Sequence, residues 1–335
     1  MGYIKLDKKA FENNINYYAN ILQTKDKICI ALKDNAYGHG LEQIGELCSI
    51  YGIKHSMVRD INEATKALQY NFDTILVLYD IPQKYDDRFI FSINDIDKIK
   101  WYPPYTKVEL KLDTGMGRNG IQLQDIPYAI ELIQKYNLEL KGVFTHFCCA
   151  DEDDTKTAKQ EKLFQKAIQE IKTLINTPFR VHCANSVGVH KVDNSLYDIA
   201  RIGIGLYGYL DIKELSTKVT PILSLYAKKI STRVLKKGDT VNYGATFKAP
   251  YDNFIISNYD IGYSDGFFRL NERKTTTIQN GKKILGRVSM DSLSVEGEAD
   301  EICLFDDATS LAILHDTIHY EILTNLKDRL PRVVV

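Results

Sequence analysis

Lys33 closes the apolar run KICIAL (27–32). An amine directed out of such a run is partly desolvated, which favours its neutral, nucleophilic form and suits it to Schiff-base chemistry with a carbonyl. The same position is met by a strand-end lysine whose stem lies on apolar surface while its ammonium reaches water, so the spacing alone leaves both readings open. A second run, KVELKLD (107–113), passes into TGMGRNG (114–120). There two glycines allow the backbone a tight turn and Arg118 offers a planar fork for a carboxylate; a plain turn with a surface arginine fits the string as well. Further on, FRVH (179–182) runs to AlaAsnSer (184–186), and YDIARI (197–202) runs to GlyIleGly (203–205). Backbone N–H groups beside a hydroxyl are the ingredients of a phosphate cradle.

These residues need elements that bring them together. From residue 27 to about 205, β-rich apolar runs alternate with helix-length segments: 27–33, 54–58, 74–79, 89–93, 107–113, 141–146, 179–184 and 197–203. The segments between them, such as DDTKTAKQEKLFQKAIQEIKTLI (153–175), carry apolar residues at three- and four-residue spacing, as amphipathic crossover helices do. Eight strand–helix units predict a parallel (β/α)8 barrel. In such a barrel the chemistry sits just past the carboxyl ends of the strands, and the last two loops commonly hold phosphate. A helix over 8–22 precedes the first of these strands. After about residue 215 the texture changes to strands, KKILGRVSMDSLSV (282–295) among them, joined by Gly, Asn and Asp turns, which predicts a mainly β domain. The expected division is a barrel over 1–215 and a β domain over 216–335, packed together because no low-complexity linker separates them.

A chain of 335 residues supports two domains. With 43 basic and 44 acidic residues its net charge is -1, and no long block of one sign points to nucleic acid or an anionic membrane. The N-terminal stretch has no apolar core of signal-peptide length, so a cytoplasmic location is expected. The six cysteines show no CxxC or CxxH spacing, and several lie in apolar runs, so reduced, buried thiols are expected in place of a metal site or a disulfide framework.

One family carries these segments in this order. The stretch ALKDNAYGHG (31–40) closely resembles the cofactor-lysine motif of the alanine racemases. KLDTGMGR (111–118), THF (145–147), HCANS (182–186), RIGI (201–204), NYGATF (242–247), IGYSDG (261–266) and GRVSMD (286–291) are similar to that family's segments across nearly the whole chain. The resemblance implies pyridoxal 5'-phosphate bound through Lys33 and a racemisation of alanine by two bases, supplying D-alanine for peptidoglycan. Lys33 would serve the face that handles the D-isomer and Tyr243 the face that handles the L-isomer. Racemisation removes a proton from one face of a planar carbanion and returns one to the other, so two groups on opposite sides suit it. Among 21 tyrosines only the motif distinguishes Tyr243 from a packed strand tyrosine, and a phenol with a pKa near ~10 needs neighbouring positive charge to act as a base.

The resemblance also implies that Arg201 faces the pyridine nitrogen, with His146 and His182 beside it; each histidine alone is as well explained by a satisfied core position. Tyr37, Ser186, Gly203 and Ile204 would hold the phosphate. Arg118 and the Met290 backbone N–H would hold the substrate carboxylate, and Lys111 matches a lysine the family can carbamylate. Asp151, Tyr263 and Arg269 match a narrow entrance favouring small side chains. Tyr243, Tyr263 and Met290 would come from the partner subunit of a homodimer. Asp328 departs from the pattern, since a phosphate-contacting tyrosine usually precedes the segment matching ArgLeuProArg (329–332). Alternatives are a serine or broader amino-acid racemase of the same fold, a decarboxylase on the related barrel, and a cofactor-holding barrel protein without turnover. The last would lack the second domain and its TyrGlyAlaThr segment.

Overall fold

The computed structural model describes residues 1–269 and 277–335. They form two compact units: Ala10–Ala36 with Ile44–Thr220, and Met1–Lys9 and Tyr37–Gln43 with Pro221–Val335. The chain opens with β1 (Tyr3–Leu6), which belongs to the second unit. The first unit holds β2 (Ile28–Ala31), β3 (His55–Val58), β4 (Thr74–Val77), β5 (Ile90–Ile93), β6 (Lys107–Lys111), β7 (Glu139–Phe144), β8 (Arg180–His182) and β9 (Ala200–Ile202). Each falls on one of the eight expected runs. All pairings are parallel, in the order β8-β7-β6-β5-β4-β3-β2-β9. Across the remaining seam, Asp198 N donates to Val181 O and Arg201 N to Ala184 O, both at 2.9 Å, so the barrel is nearly closed.

Helices cover the barrel where the apolar spacing predicts them. The helix Lys8–Leu22 buries Phe11, Ile15, Tyr18 and Leu22, one helical face at three- and four-residue steps. Its one buried amide, Asn14, is fully engaged: Nδ2 donates to Leu206 O (3.1 Å) and Thr220 O (2.8 Å), and Oδ1 accepts from Thr220 N (2.9 Å). The helix Asp154–Leu174 is started by Asp153, whose carboxylate accepts from Lys156 N at 2.9 Å. It buries Phe164, Ala167, Ile168 and Ile171.

The second unit contains β1, β10 (Leu223–Leu235), β11 (Thr240–Val241), β12 (Phe247–Lys248), β13 (Phe254–Tyr259), β14 (Leu293–Glu296), β15 (Glu301–Phe305) and β16 (Arg332–Val334). The main sheet runs β14-β13-β10-β1-β16, with β15 also paired to β10. Val241, Ala249, Phe254, Ile256 and Leu285 form a buried cluster beside it. Two short helices, Thr309–His315 and His319–Thr324, complete the unit.

Two expectations need correction. The barrel does not begin at residue 1: β1 pairs antiparallel with β10 and parallel with β16, with Ile4 opposite Arg332, and the first nine residues go with the β unit. Ile4 and Leu6 are fully buried there, by partners more than 200 residues away that no local pattern reveals. The run 282–295 is not one strand either. Only Leu293–Glu296 pairs continuously, and the remainder contributes single bridges from Lys283 and Ile284.

Candidate active site

The barrel unit carries most of the sequence-derived candidates, at or near the carboxyl ends of its strands. Lys33 lies two residues beyond β2, half-buried, with Nζ 3.3 Å from Asp34 Oδ2. The backbone beyond it is unusual. Asp34, Asn35, Ala36 and Tyr37 have φ between 53° and 55°, and Gly38 continues at 80°, a left-handed turn of four non-glycine residues. Left-handed helical geometry costs ~1–2 kcal/mol per residue, somewhat less for Asp and Asn, so the surroundings must impose it. Glu63 does so: Oε1 accepts from Asn35 N (2.9 Å) and Oε2 from Arg59 N (2.8 Å), while Arg59 reaches Asp34 at 3.1 Å. Tyr207 donates its hydroxyl to Ala31 O at 2.7 Å, and Leu32 N donates to Met57 O at 2.8 Å. Glu63 was not among the expected residues, and nothing local to its helix marks it.

Across the seam, from β9 through β8 to β6, runs a buried polar chain. Arg201, on β9 and 3% exposed, donates from Nη1 to His182 Nδ1 (2.6 Å) and from Nη2 to Thr145 O (2.5 Å) and Cys183 O (3.2 Å). Because Nδ1 of His182 accepts, its Nε2 carries the proton and donates to Glu109 Oε2 at 2.9 Å. The other Glu109 oxygen takes Arg180 Nε, and Arg180 Nη1 reaches Thr74 Oγ1 at 2.9 Å. Burial pushes His182 down to about 4, against the pull of Glu109 and with help from Arg201 and Arg180. Burial alone would raise Glu109, but Arg180 and His182 outweigh it and hold the carboxyl down at about 2. The chain therefore reads Arg⁺–His⁰–Glu⁻–Arg⁺, with the imidazole stacked on Phe144.

His146 stands 3.5 Å from Arg201 Nη2. Burial, then the charges of Arg201, Lys111, Arg118 and Lys33, lower it to about 3. A neutral imidazole in the field of four cations marks a mouth built for anions. Lys111, at the end of β6, is buried and lowered to about 8, by burial first and then by Arg118 and Arg201; its Nζ donates to Asn119 Oδ1. Arg118 is exposed on the next loop. Asp113 shapes that loop by accepting from Gly115 N and Met116 N (both 2.9 Å) and Gly117 N (3.1 Å), another function the sequence did not disclose. Asp151 is exposed on the loop after β7.

Ser186 and the 203–205 turn, expected at a phosphate, lie together at the carboxyl ends of β8 and β9. Ser186 Oγ, buried, accepts from Gly203 N (3.1 Å) and Gly205 N (3.2 Å). A hydroxyl that accepts twice still has a proton to give, and an anionic oxygen is the acceptor this arrangement calls for. Gly205 is required by space: a Cβ there would lie 1.9 Å from Tyr18 Oη. Ile204 is buried in the same turn.

The β unit presents the remaining candidates. Tyr243 is 65% exposed on a turn where Asn242, Gly244 and Ala245 all have positive φ, held by Asn242 Nδ2 donating to Leu285 O (2.9 Å) and Ser294 Oγ (3.1 Å). Met290 and Tyr263 are neighbours, 54% and 40% exposed, joined by Ser264 N donating to Met290 O at 2.9 Å. Gly262 beside them has no room for a Cβ, which would meet Met290 O at 2.1 Å. Arg269 is exposed, with its carbonyl accepting from Val288 N at 3.0 Å. Tyr37 packs against Tyr320, ring centroids 5.6 Å apart. Asp328 is exposed near Arg332, and its charge supports that arginine against burial. Arg329 instead pairs with Asp265 at 2.8 Å.

A nearly closed parallel barrel with a lysine just beyond its first strand and a cationic mouth, followed in the chain by a β unit, defines a narrow class of two-unit barrel proteins. Comparison with known proteins says which one. Residues 6–211 match the model of the alanine racemase N-terminal domain and residues 222–334 that of the C-terminal domain. The chain belongs to the alanine racemase family. It is 44% identical over 339 aligned residues to the alanine racemase of Nitratiruptor sp., covering 99% of each chain, and 39% identical to that of Campylobacter jejuni subsp. doylei, covering 100% of each. Among solved structures, alanine racemase from Bacillus anthracis with bound L-Ala-P is 27% identical with a TM-score of 0.87, covering 100% of this chain and 95% of that one. Alanine racemase from Clostridium difficile, at 24% identity, a TM-score of 0.89 and the same coverage, shows the shared fold. Among the described residues no helix is long and apolar enough to cross a membrane, and no group of three or more His, Cys, Asp or Glu could hold a metal ion.

Proposed function

We propose that this protein interconverts L-alanine and D-alanine with pyridoxal phosphate, in the cytoplasm, and so supplies D-alanine for peptidoglycan. The observation that carries the reading is 44% identity over the whole chain to an alanine racemase, in a chain that keeps an amine and an anion cradle at one barrel mouth. The residues fit the cofactor: Lys33 Nζ to bond its carbonyl, Ser186, Gly203, Ile204 and Tyr37 for its phosphate, Arg201 with His146 for its ring. When bound, pyridoxal phosphate acts as an electron sink that acidifies the substrate's α-carbon.

The chain's own groups do the rest. Lys33 Nζ takes or returns the proton on the face that handles D-alanine, and Tyr243 Oη does so on the face that handles L-alanine. Arg201 would face the ring nitrogen with a donor that does not release its proton, which would keep that nitrogen unprotonated and discourage side reactions needing a stronger sink. The buried chain through His182 to Glu109 fixes the guanidinium in place. Arg118 and the Met290 N–H bind the substrate carboxylate, and a carbamylated Lys111 pairs with Arg118 and orients its fork. Asp151, Tyr263 and Arg269 narrow the entrance. Tyr243, Tyr263 and Met290 reach the site of the partner subunit in a homodimer, and their exposure in the single chain supports this.

The test is direct. Cofactor-loaded protein is incubated with L-alanine and with L-serine and the enantiomers are separated by chiral chromatography, in parallel with Lys33→Ala. Alanine should reach an equal mixture, and borohydride should fix cofactor to Lys33 of the wild type and to no residue of the variant. No D-alanine, or fixation on another lysine, overturns the assignment.

A further inference from the structure

The loop after β7 reads HisPheCysCysAlaAsp (146–151), and its two adjacent thiols lie 3.3 Å apart, with the Cys149 S–H directed at Cys148 Sγ. Both are half-buried, unlike the fully buried Cys29 and Cys48. Lys156 hydrogen-bonds both sulfurs from the first turn of the helix Asp154–Leu174. The pair is thus held sulfur to sulfur, on a loop that leaves both thiols partly open to solvent. On its other side Cys148 is fixed to one buried residue, with N and Sγ both donating to Gln160 Oε1 at 3.0 and 3.2 Å. Gln160 Nε2 in turn reaches Thr114 Oγ1 and His146 O, both at 3.3 Å.

We propose that Cys148 and Cys149 form a vicinal dithiol that a hydroperoxide closes to a reversible disulfide, and that closure resets the loop carrying Asp151. The Cys148 thiolate attacks one peroxide oxygen, an S–O bond forms, the O–O bond breaks, and hydroxide leaves to become water. Cys149 sulfur then attacks Cys148 sulfur, the S–S bond forms, the S–O bond breaks, and the oxygen leaves as a second water with the Cys149 proton. Each sulfur gives up one electron and the peroxide takes two. Adjacent Cα atoms are only ~3.8 Å apart, below the ~4.4–6.8 Å that relaxed disulfides span, so the ring is strained and readily reduced by dithiols.

Strain is also the link to the site. Ring closure twists the 148–149 peptide and with it the backbone at Cys149, whose carbonyl, in the next peptide, anchors the turn beyond: this oxygen accepts from Asp153 N (2.9 Å), Glu152 N (3.1 Å) and Thr157 Oγ1 (3.3 Å). These bonds hold the turn containing Asp151 and the start of the helix. Losing them moves the entrance side of the barrel mouth without touching Lys33 or Arg201.

The full-length, cofactor-loaded protein is reduced, exposed to stoichiometric hydrogen peroxide, alkylated and cleaved with trypsin. The peptide Gly142–Lys156, which holds only these two cysteines, should be lighter by two hydrogens and should regain them with dithiothreitol. In Cys149→Ser the same treatment should stop at a sulfenic acid on Cys148 that dimedone traps. Oxygen added to single sulfurs of the wild type with no loss of two hydrogens, or oxidation confined to Cys303, overturns the closure. The kinetic arm rests on the racemase reading: oxidised wild type should show KM for alanine raised about 5-fold or more, in the range of ordinary coupling between sites, and Cys149→Ser should not. A disulfide that forms with KM unchanged overturns the link to the entrance. A protein without racemase activity leaves the mass result to decide closure by itself.

Discussion

Replacing Glu109 by Gln keeps the volume and removes one buried charge, and its cost is set by two independent observations. The folded carboxyl sits at about 2, against ~4.3 in an unfolded chain. A shift of that size corresponds to ~3 kcal/mol. The Glu109 side chain is fully buried, and Arg180, 14% exposed, has an Nη2 with no hydrogen-bond partner among the described residues, so the variant leaves a buried guanidinium uncompensated. Breaking a buried pair from one side costs ~3–5 kcal/mol, which agrees. We expect urea unfolding at pH 7 to show a loss of about 3 kcal/mol in the barrel transition, monitored by a probe confined to that unit because two units need not unfold together. Since the folded pKa is depressed, the contribution is fully present above ~4.3 and lost as pH falls towards about 2. The gap between wild type and variant should therefore hold from pH 7 to 5 and shrink below ~4.3. A gap under ~1 kcal/mol at pH 7, or one that closes between pH 7 and 5, would refute the charged reading of this chain.

The same groups set two further outcomes. His182 is lowered to about 4 from an unfolded value near ~6.5, so its neutral form adds stability above ~6.5 that is lost as pH falls to about 4; a urea midpoint flat or rising from pH 7 to 4 would contradict this. Lys111, lowered to about 8, holds a sizeable neutral fraction at neutral pH, so native mass spectrometry in bicarbonate should find one acid-labile gain of carbon dioxide that Lys111→Ala lacks. Absence of that gain would show that the amine stays hydrogen-bonded to Asn119 as it is.

The barrel was legible because parallel strands buried on both sides read as continuous apolar runs, and the helix Lys8–Leu22 because one face is apolar at helical spacing. Motif order singled out Lys33, Arg201 and Ser186, and all three lie at or just beyond the ends of barrel strands. Their supports were not. Lys107, Glu109 and Lys111 alternate along β6 like a solvated face, yet Glu109 and Lys111 are buried, because charges from β8 and β9 satisfy or offset them across the barrel. DNAY (34–37) looks like an ordinary turn; the left-handed backbone depends on Glu63, which is 28 residues from the amide it braces. β1 was hidden because four residues carry no period and their partners lie at the far end of the chain.

If Lys33 and Tyr243 serve opposite faces of one substrate, Tyr243→Phe in deuterated solvent separates the two. Cofactor-loaded variant is given L-alanine or D-alanine, and single-turnover exchange of the α-proton is measured by mass spectrometry. Exchange from L-alanine should fall by ~10²–10⁴, the usual worth of a positioned general base, while exchange from D-alanine through Lys33 should persist near the wild-type rate. Equal loss from both enantiomers would contradict it.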